Sequence, residues 1–205
     1  MAWQKPTQIT AWSFSRLSTF EQCPLKAKFL YLDKVKEPQN KAMERGSDIH
    51  EKAEKYVKGE ISRMPTEIKS FEKDFKAVRA LRKKSPHLVE VESMWGFDAD
   101  WNVTPWDNWN GCKLRVKLDQ AVMDPKNKIL SVEDVKTGKY REYNVADYLD
   151  QLELYRLTGF IKYHDEYGDD LVVRSRLLYV DQALSYAGPD KDHPPETRLA
   201  AVPTL

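Results

Sequence analysis

The sequence predicts an α/β fold, with a mixed central β-sheet of at least four strands and helices flanking it. Two observations carry this. Segments of period two at 88–95, 113–123, 130–136 and 171–180 are interspersed with segments whose apolar residues recur every three or four positions, at 41–57, 65–81 and 145–163. Interleaving both kinds along one chain is the pattern of helices packed on a shared sheet.

At 205 residues the expectation is a single domain over 1–205, long enough to build a sizeable core. Hydrophobic residues at 41% and charged ones at 32% suit a globular chain with many helical surfaces, and no apolar run approaches a membrane span. The start, Met1 to Pro6, lacks the apolar stretch of a secretory signal, so the expected location is cytoplasmic. The two cysteines, Cys23 and Cys112, give no disulfide framework, which agrees with a reducing compartment. A net charge of +1 does not by itself point to a polyanionic partner. The basic run Lys76, Arg79, Arg82, Lys83 and Lys84 reads as a solvated helix face. There is no Gly-x-x-x-x-Gly-Lys-Ser/Thr loop, which excludes a nucleotide-driven motor.

Residues 1–12 read as an irregular or strand-like lead-in. Ser15 is placed to cap a short helix over Arg16 to Gln22, and Pro24 suits the first turn of a second helix reaching about Leu32. Arg16, Lys26 and Lys28 either touch phosphates or are solvated. In the helix from Lys41 to Val57, Gly46 costs roughly 1 kcal/mol relative to Ala, so close packing or a ligand is expected against it. His50 lies one turn on, and Glu54 one turn further. From the residues alone His50 is a core or boundary side chain. After Pro65-Thr66, Ile68, Phe71, Phe75, Val78 and Leu81 form a core stripe. Leu88 to Trp95 is a strand on which strict alternation sets Glu90 and Glu92 on one face. Phe97 to Asn110 is a loop whose Trp101, Trp106 and Trp109 either stack on unpaired bases or plug the loop onto the core, the second being expected of at least two.

Lys113 to Met123 and Leu130 to Lys136 read as a hairpin around Asp124-Pro125-Lys126-Asn127-Lys128. Centring it on Lys126-Asn127 sets Asp119 opposite Asp134 and Lys117 opposite Lys136. Asp134 and Lys136 then share a face with Leu130 and Val132. Directly opposed like charges destabilise a sheet, and a hard divalent cation between the two carboxylates would turn repulsion into coordination. Asn144 is placed to cap a helix from Val145 to about Tyr163, on which Gln151 and Tyr155 project from one side. Leu171 to Val180 is a further strand, and 187–205, rich in Pro, Asp and Lys, reads as a loosely ordered tail.

Taken in order, Ser13 and Ser15, Cys23-Pro24, Gly46 with His50, Asp119, Asp134-Val135-Lys136-Thr137-Gly138, and Gln151 with Tyr155 resemble the motifs of the PD-(D/E)XK nuclease superfamily, RecB-type exonuclease branch. The Gly usually found three residues before the first Asp is Val116 here. The resemblance implies a restriction-endonuclease-like core and a metal-dependent deoxyribonuclease, an exonuclease on single-stranded or frayed DNA ends. A DNA-end-binding or adaptor protein that does not cut is the alternative. Asp119, Asp134 and Lys136 would be catalytic, and Mg2+ or Mn2+ would be held by His50, Asp119, Asp134 and the carbonyl of Val135. Gln151, Tyr155, Ser15 and Arg16 would hold nucleic acid, and Glu54 and a Glu on the 88–95 strand would support the site. DNA is the implied partner, with protein partners in replication, recombination or repair and no membrane. Some relatives, including the CRISPR adaptation nucleases, ligate an iron-sulfur cluster through four cysteines. With two here no cluster is expected, and Cys23 is expected to pack as a small apolar residue.

Overall fold

The computed structural model describes residues 8–38 and 40–187, so the tail expected at 187–205 lies outside it except for Ala187. The strands are β1 Val89–Phe97, β2 Val103–Thr104, β3 Leu114–Asp124, β4 Ile129–Lys136, β5 Val172–Tyr179 and β6 Leu184–Tyr186. They form one sheet in the order β2-β1-β3-β4-β5-β6. β4 and β5 are parallel, while β1–β2, β3–β4 and β5–β6 pair antiparallel, so the sheet is mixed as the sequence predicts. β6 is too short to leave a period in the sequence.

By contact density the chain divides into two compact units, one comprising the described residues up to 40 together with 94–116, the other 41–93 together with 117 onward. In the first unit, α1 Phe14–Gln22 is capped by Ser13, whose Oγ accepts the Arg16 N–H at 3.4 Å. The cap is therefore not Ser15. Ser13 has the extended backbone a cap requires, whereas Ser15 is already helical. Cys23 caps α2 Pro24–Ala27, its Sγ accepting the Lys26 N–H at 3.4 Å, and the chain continues as a π-helical turn over Lys28–Leu32. That capping role leaves Cys23 exposed, not packed as a small apolar residue. Trp101 and Trp106 are half-buried and Trp109 is 71% exposed, so none of the three is an enclosed core plug.

In the second unit, α3 Lys41–Lys58, the 3-10 segment Thr66–Phe71 and α4 Glu72–Lys84 bury Ile49, Ala53, Val57, Phe71 and Phe75 against Val89, Val135 and Leu178. α5 Val145–Tyr167 covers the opposite face, where Leu152 meets Leu177 and Tyr179. Leu177 and Leu178 are consecutive on β5, so alternation alone assigns them to opposite faces. α5 is seated closely at Gly159, where a Cβ would come within 2.8 Å of Leu130 Cδ2 and 3.0 Å of Val173 Cγ1. The basic run on α4 is solvated only in part: Lys76, Lys83 and Lys84 are exposed, whereas Arg79 lies 4.4 Å over the Tyr56 ring and Arg82 donates to the Val89 carbonyl at 2.8 Å.

The β3–β4 hairpin takes the expected register, from Asp124↔Ile129 through Ala121↔Val132 to Gln120↔Glu133. Its turn is held by the Asp124 carboxylate, which accepts the N–H groups of Lys126 at 3.1 Å and Asn127 at 3.2 Å.

Because both β4 and β5 crowd Gly159, Gly159→Val should overpack this contact and destabilise the protein by roughly 1 to 3 kcal/mol. Thermal melts check this, and an unchanged melting temperature would mean that α5 is not seated on the sheet this way.

Candidate active site

The site is built where the β3–β4 ladder opens, and all its residues belong to the second unit. One step beyond the Gln120↔Glu133 pair, Asp119 turns its carboxylate into the gap. Its Oδ2 accepts the Val135 N–H at 2.6 Å, and its Oδ1 lies 2.9 Å from His50 Nδ1. A side-chain carboxylate thus replaces a backbone partner, bringing β4 and α3 to one point.

Two features of the sequence aim His50 there. Gly46 has no Cβ, and one would sit 3.1 Å from Thr137 Oγ1, so α3 packs directly on the turn after Lys136. Arg45 clamps the same turn, donating to the Thr137 carbonyl at 3.3 Å and to Asp181 at 2.9 and 2.6 Å. The compensation expected for Gly46 is this close packing. His50, one turn along, then faces Asp119.

Asp134 lies on the α5 face with Leu130 and Val132, and it is 7% exposed. Its Oδ1 accepts from the Tyr155 hydroxyl at 2.7 Å, and that hydroxyl accepts from Gln151 Nε2 at 2.7 Å. Burial and the nearby Asp134 charge raise the Tyr155 pKa well above its ordinary value, so the hydroxyl stays a donor. Gln151 and Tyr155 are 8% and 3% exposed and turned toward Asp134. Ser15 and Arg16 stand at the first turn of α1 in the other unit. Asp134 Oδ2 is ion-paired to Lys136 Nζ at 2.7 Å.

Glu90 and Glu92 do not share a face. Glu92 has a left-handed backbone, φ 53°, which breaks the alternation of β1 and turns its carboxylate to the side of Val91, His50 and Asp119. Glu90 stays on the α5 face, hydrogen-bonded to the Tyr163 hydroxyl. Nothing in the β1 sequence, which carries no Gly at this position, marks the break. Glu92 is ion-paired to Lys117 at 2.6 Å. Glu54 lines the same cavity and pairs with Lys58 at 2.5 Å. Glu133, beside Asp134 but on the other face, serves structure: it accepts from Arg176 Nε at 2.6 Å and from Gln120, while Arg176 also reaches Asp74 at 2.5 Å.

His50, Glu92 and Asp119 each offer a donor atom within 4.8 Å of the others. Carboxylate oxygens with one imidazole suit a hard or borderline divalent cation, and Asp134, whose Oδ2 is ion-paired to Lys136, is not in this group. Burial, then the Asp134 charge, pushes Asp119 up to about 6, against the pull of His50 and the Val135 N–H. His50 is raised, chiefly by its hydrogen bond to Asp119 and against its own burial.

The family model of the PD-(D/E)XK nuclease superfamily matches residues 11–190. That is most of the chain, and the chain belongs to this superfamily, whose restriction-endonuclease-like core is the mixed, helix-flanked sheet described above. The superfamily's chemistry is divalent-metal-dependent nuclease chemistry, with DNA as the implied substrate. No curated protein matches the chain. Among the described residues, no helix is long and apolar enough to cross a membrane.

The two raised pKa values set a pH dependence for the metal-free protein. Asp119 ionised inside the fold is unfavourable relative to the unfolded chain, a penalty absent when the group is protonated in both states and complete above about pH 6. His50 acts in the same direction, its stabilising charge being lost as pH rises through its raised folded-state value. The stability of wild type relative to Asp119→Asn should therefore fall as pH rises from about 4 through 7, by an order of 1 to 3 kcal/mol. Melts in chelator across that range check it, and a difference that is flat or rises with pH would contradict the burial of Asp119.

Proposed function

We propose that this protein is a Mg2+- or Mn2+-dependent deoxyribonuclease that hydrolyses phosphodiester bonds, acting as an exonuclease on single-stranded or frayed DNA ends, within one nuclease domain of the RecB type. The observation that carries the reading is the constellation at the opening of the hairpin, where Asp119 meets His50 and Lys136 is ion-paired to the buried Asp134 at 2.7 Å. Superfamily membership supports it.

In this reading His50, Asp119, Asp134 and the carbonyl of Val135 hold the cation, and Glu92 adds a further carboxylate. A divalent cation so held supplies Lewis acidity toward the scissile phosphate and lowers the pKa of water. The imidazole of His50 favours manganese over magnesium. Lys136, held 2.7 Å from Asp134 Oδ2, orients or deprotonates the attacking water, or offsets the negative charge that grows on the phosphate. Tyr155 is a positioning residue, fixing the Asp134 carboxylate by its hydroxyl, and Gln151 orients that hydroxyl. Preference for ends rests on the resemblance to the RecB-type branch, whose members are mostly exonucleases. The expected setting is cytoplasmic, with partners in replication, recombination or repair and no iron-sulfur cluster.

Incubating the purified protein with end-labelled DNA and manganese, with and without chelator, tests the activity. Lys136→Ala should lose cleavage by at least about 100-fold, the scale of a general acid–base or charge-stabilising group, and should still be stabilised by manganese. Full activity in that variant would remove Lys136 from the mechanism, while DNA binding without cleavage by wild type in either metal would support the non-cutting alternative. Tyr155→Phe, which leaves Asp134 Oδ1 without its donor, should cost about 10- to 100-fold in metal affinity or activity. Rapid cutting of closed circular single strands would show that ends are dispensable.

A further inference from the structure

Arg115 on β3 is 7% exposed, and its Nε is a buried donor with no hydrogen-bond partner among the described residues. Its guanidinium lies 4.4 Å from the Trp109 ring centre and 5.6 Å from that of Trp106. No carboxylate lies within ion-pair distance of it among the described residues. A desolvated cation without a counter-charge is costly, and a native fold retains one where something else compensates it.

The fold brings a second guanidinium to the same part of the first unit. Trp12 pairs with β3, its N–H donating to the Lys113 carbonyl at 2.7 Å and its carbonyl accepting the Arg115 N–H at 2.8 Å. Arg16, in the first turn of α1, donates to the neighbouring Ala11 carbonyl at 2.5 Å and lies 5.2 Å over the Tyr31 ring. Burial, then the charge of Arg115, lowers the pKa of Arg16, with Tyr31 opposing. Arg16 also lacks an ion-pair partner among the described residues. Beside Arg115, Trp109 is 71% exposed.

Cation–π packing gives Arg115 a structural use, holding the two tryptophans, at roughly 0.5 to 2 kcal/mol. That accounts for neither the second guanidinium nor the unpartnered Nε. Like charges gathered without acids need an anion, and a large exposed ring next to them offers a stacking surface. A backbone phosphate and its adjoining unpaired base supply both. Paired bases keep their faces stacked within the duplex, so this chemistry selects single strands.

We propose that Arg16, Arg115 and Trp109 form an accessory site for single-stranded nucleic acid, with Arg16 taking a backbone phosphate, Arg115 adding positive charge behind it, and Trp109 stacking on the neighbouring base. The proposal rests on the nuclease reading and adds where, within the first unit, a strand is gripped. It is tested by anisotropy of a labelled single-stranded oligonucleotide and its duplex in chelator, where no cutting occurs. Trp109→Ala should weaken single-strand binding about tenfold and leave duplex binding within twofold, and Trp109→Phe should retain most of the affinity. Arg16→Gln should weaken binding and reduce the salt dependence by about one phosphate. Trp109 is exposed, so its variants fold even if Arg115 variants do not. Single-strand affinity unchanged in Trp109→Ala, in a protein that still cuts DNA with manganese, would overturn the accessory site and leave the nuclease reading intact. Wild type that neither binds nor cuts any nucleic acid would overturn both.

Discussion

A carboxylate placed in the opening of a β-ladder is the constraint on which the second unit depends. Asp119 is shielded from water and near a second acid, so it requires donors, and it finds them in the Val135 N–H at 2.6 Å and His50 Nδ1 at 2.9 Å. Those two contacts tie β3 to β4 and to α3. Around it the acids and cations alternate: Asp134 with Lys136, Glu92 with Lys117, Asp119 with His50. Without metal, each carboxylate leans on a side-chain cation. A divalent ion would take over that role for several at once, which is why the arrangement is both tolerable when empty of metal and suited to receive it.

Helix packing follows from the same need. α3 approaches closely enough for His50 to reach Asp119 because Gly46 lets Thr137 come within 3.1 Å of where a Cβ would be. α5 approaches the other face at Gly159, and the descent of that helix onto β4 puts the Tyr155 hydroxyl 2.7 Å from Asp134. The two glycines therefore act on opposite sides of the sheet to position donors for the two acids. The left-handed backbone at Glu92 adds a third carboxylate at a conformational cost of the order of 1 kcal/mol, a strain commonly retained at working sites.

Much of this was legible in the sequence because it depends on period and turn chemistry. Asp124 and Asn127 define the hairpin turn, the turn sets the register as far as Gln120↔Glu133, and one step beyond it Asp119 meets His50. Gly46 in a helix interior called for close packing or a ligand, and packing on Thr137 is what it meets. What could not be read depends on contacts between distant segments or on one backbone angle. Glu92 looks like Glu90 until φ breaks the alternation of β1. Glu133 looks as chemical as Asp134 until Arg176 is seen to hold it. Cys23 and Ser13 show the local version of this limit, since which residue caps a helix turns on where the extended backbone ends.

The central claim is that Asp119, with His50 and Asp134, is a metal site whose acids are protonated or ion-paired until the cation arrives. The most direct measurement is calorimetric titration of manganese into the protein at pH 6 and pH 8, in buffers of different ionisation enthalpy, which counts protons released on binding. Because Asp119 sits at about 6 and His50 is raised, binding at pH 6 should release about one proton, and release should diminish by pH 8. Manganese binding without proton release at pH 6, or no binding at either pH, would contradict the account.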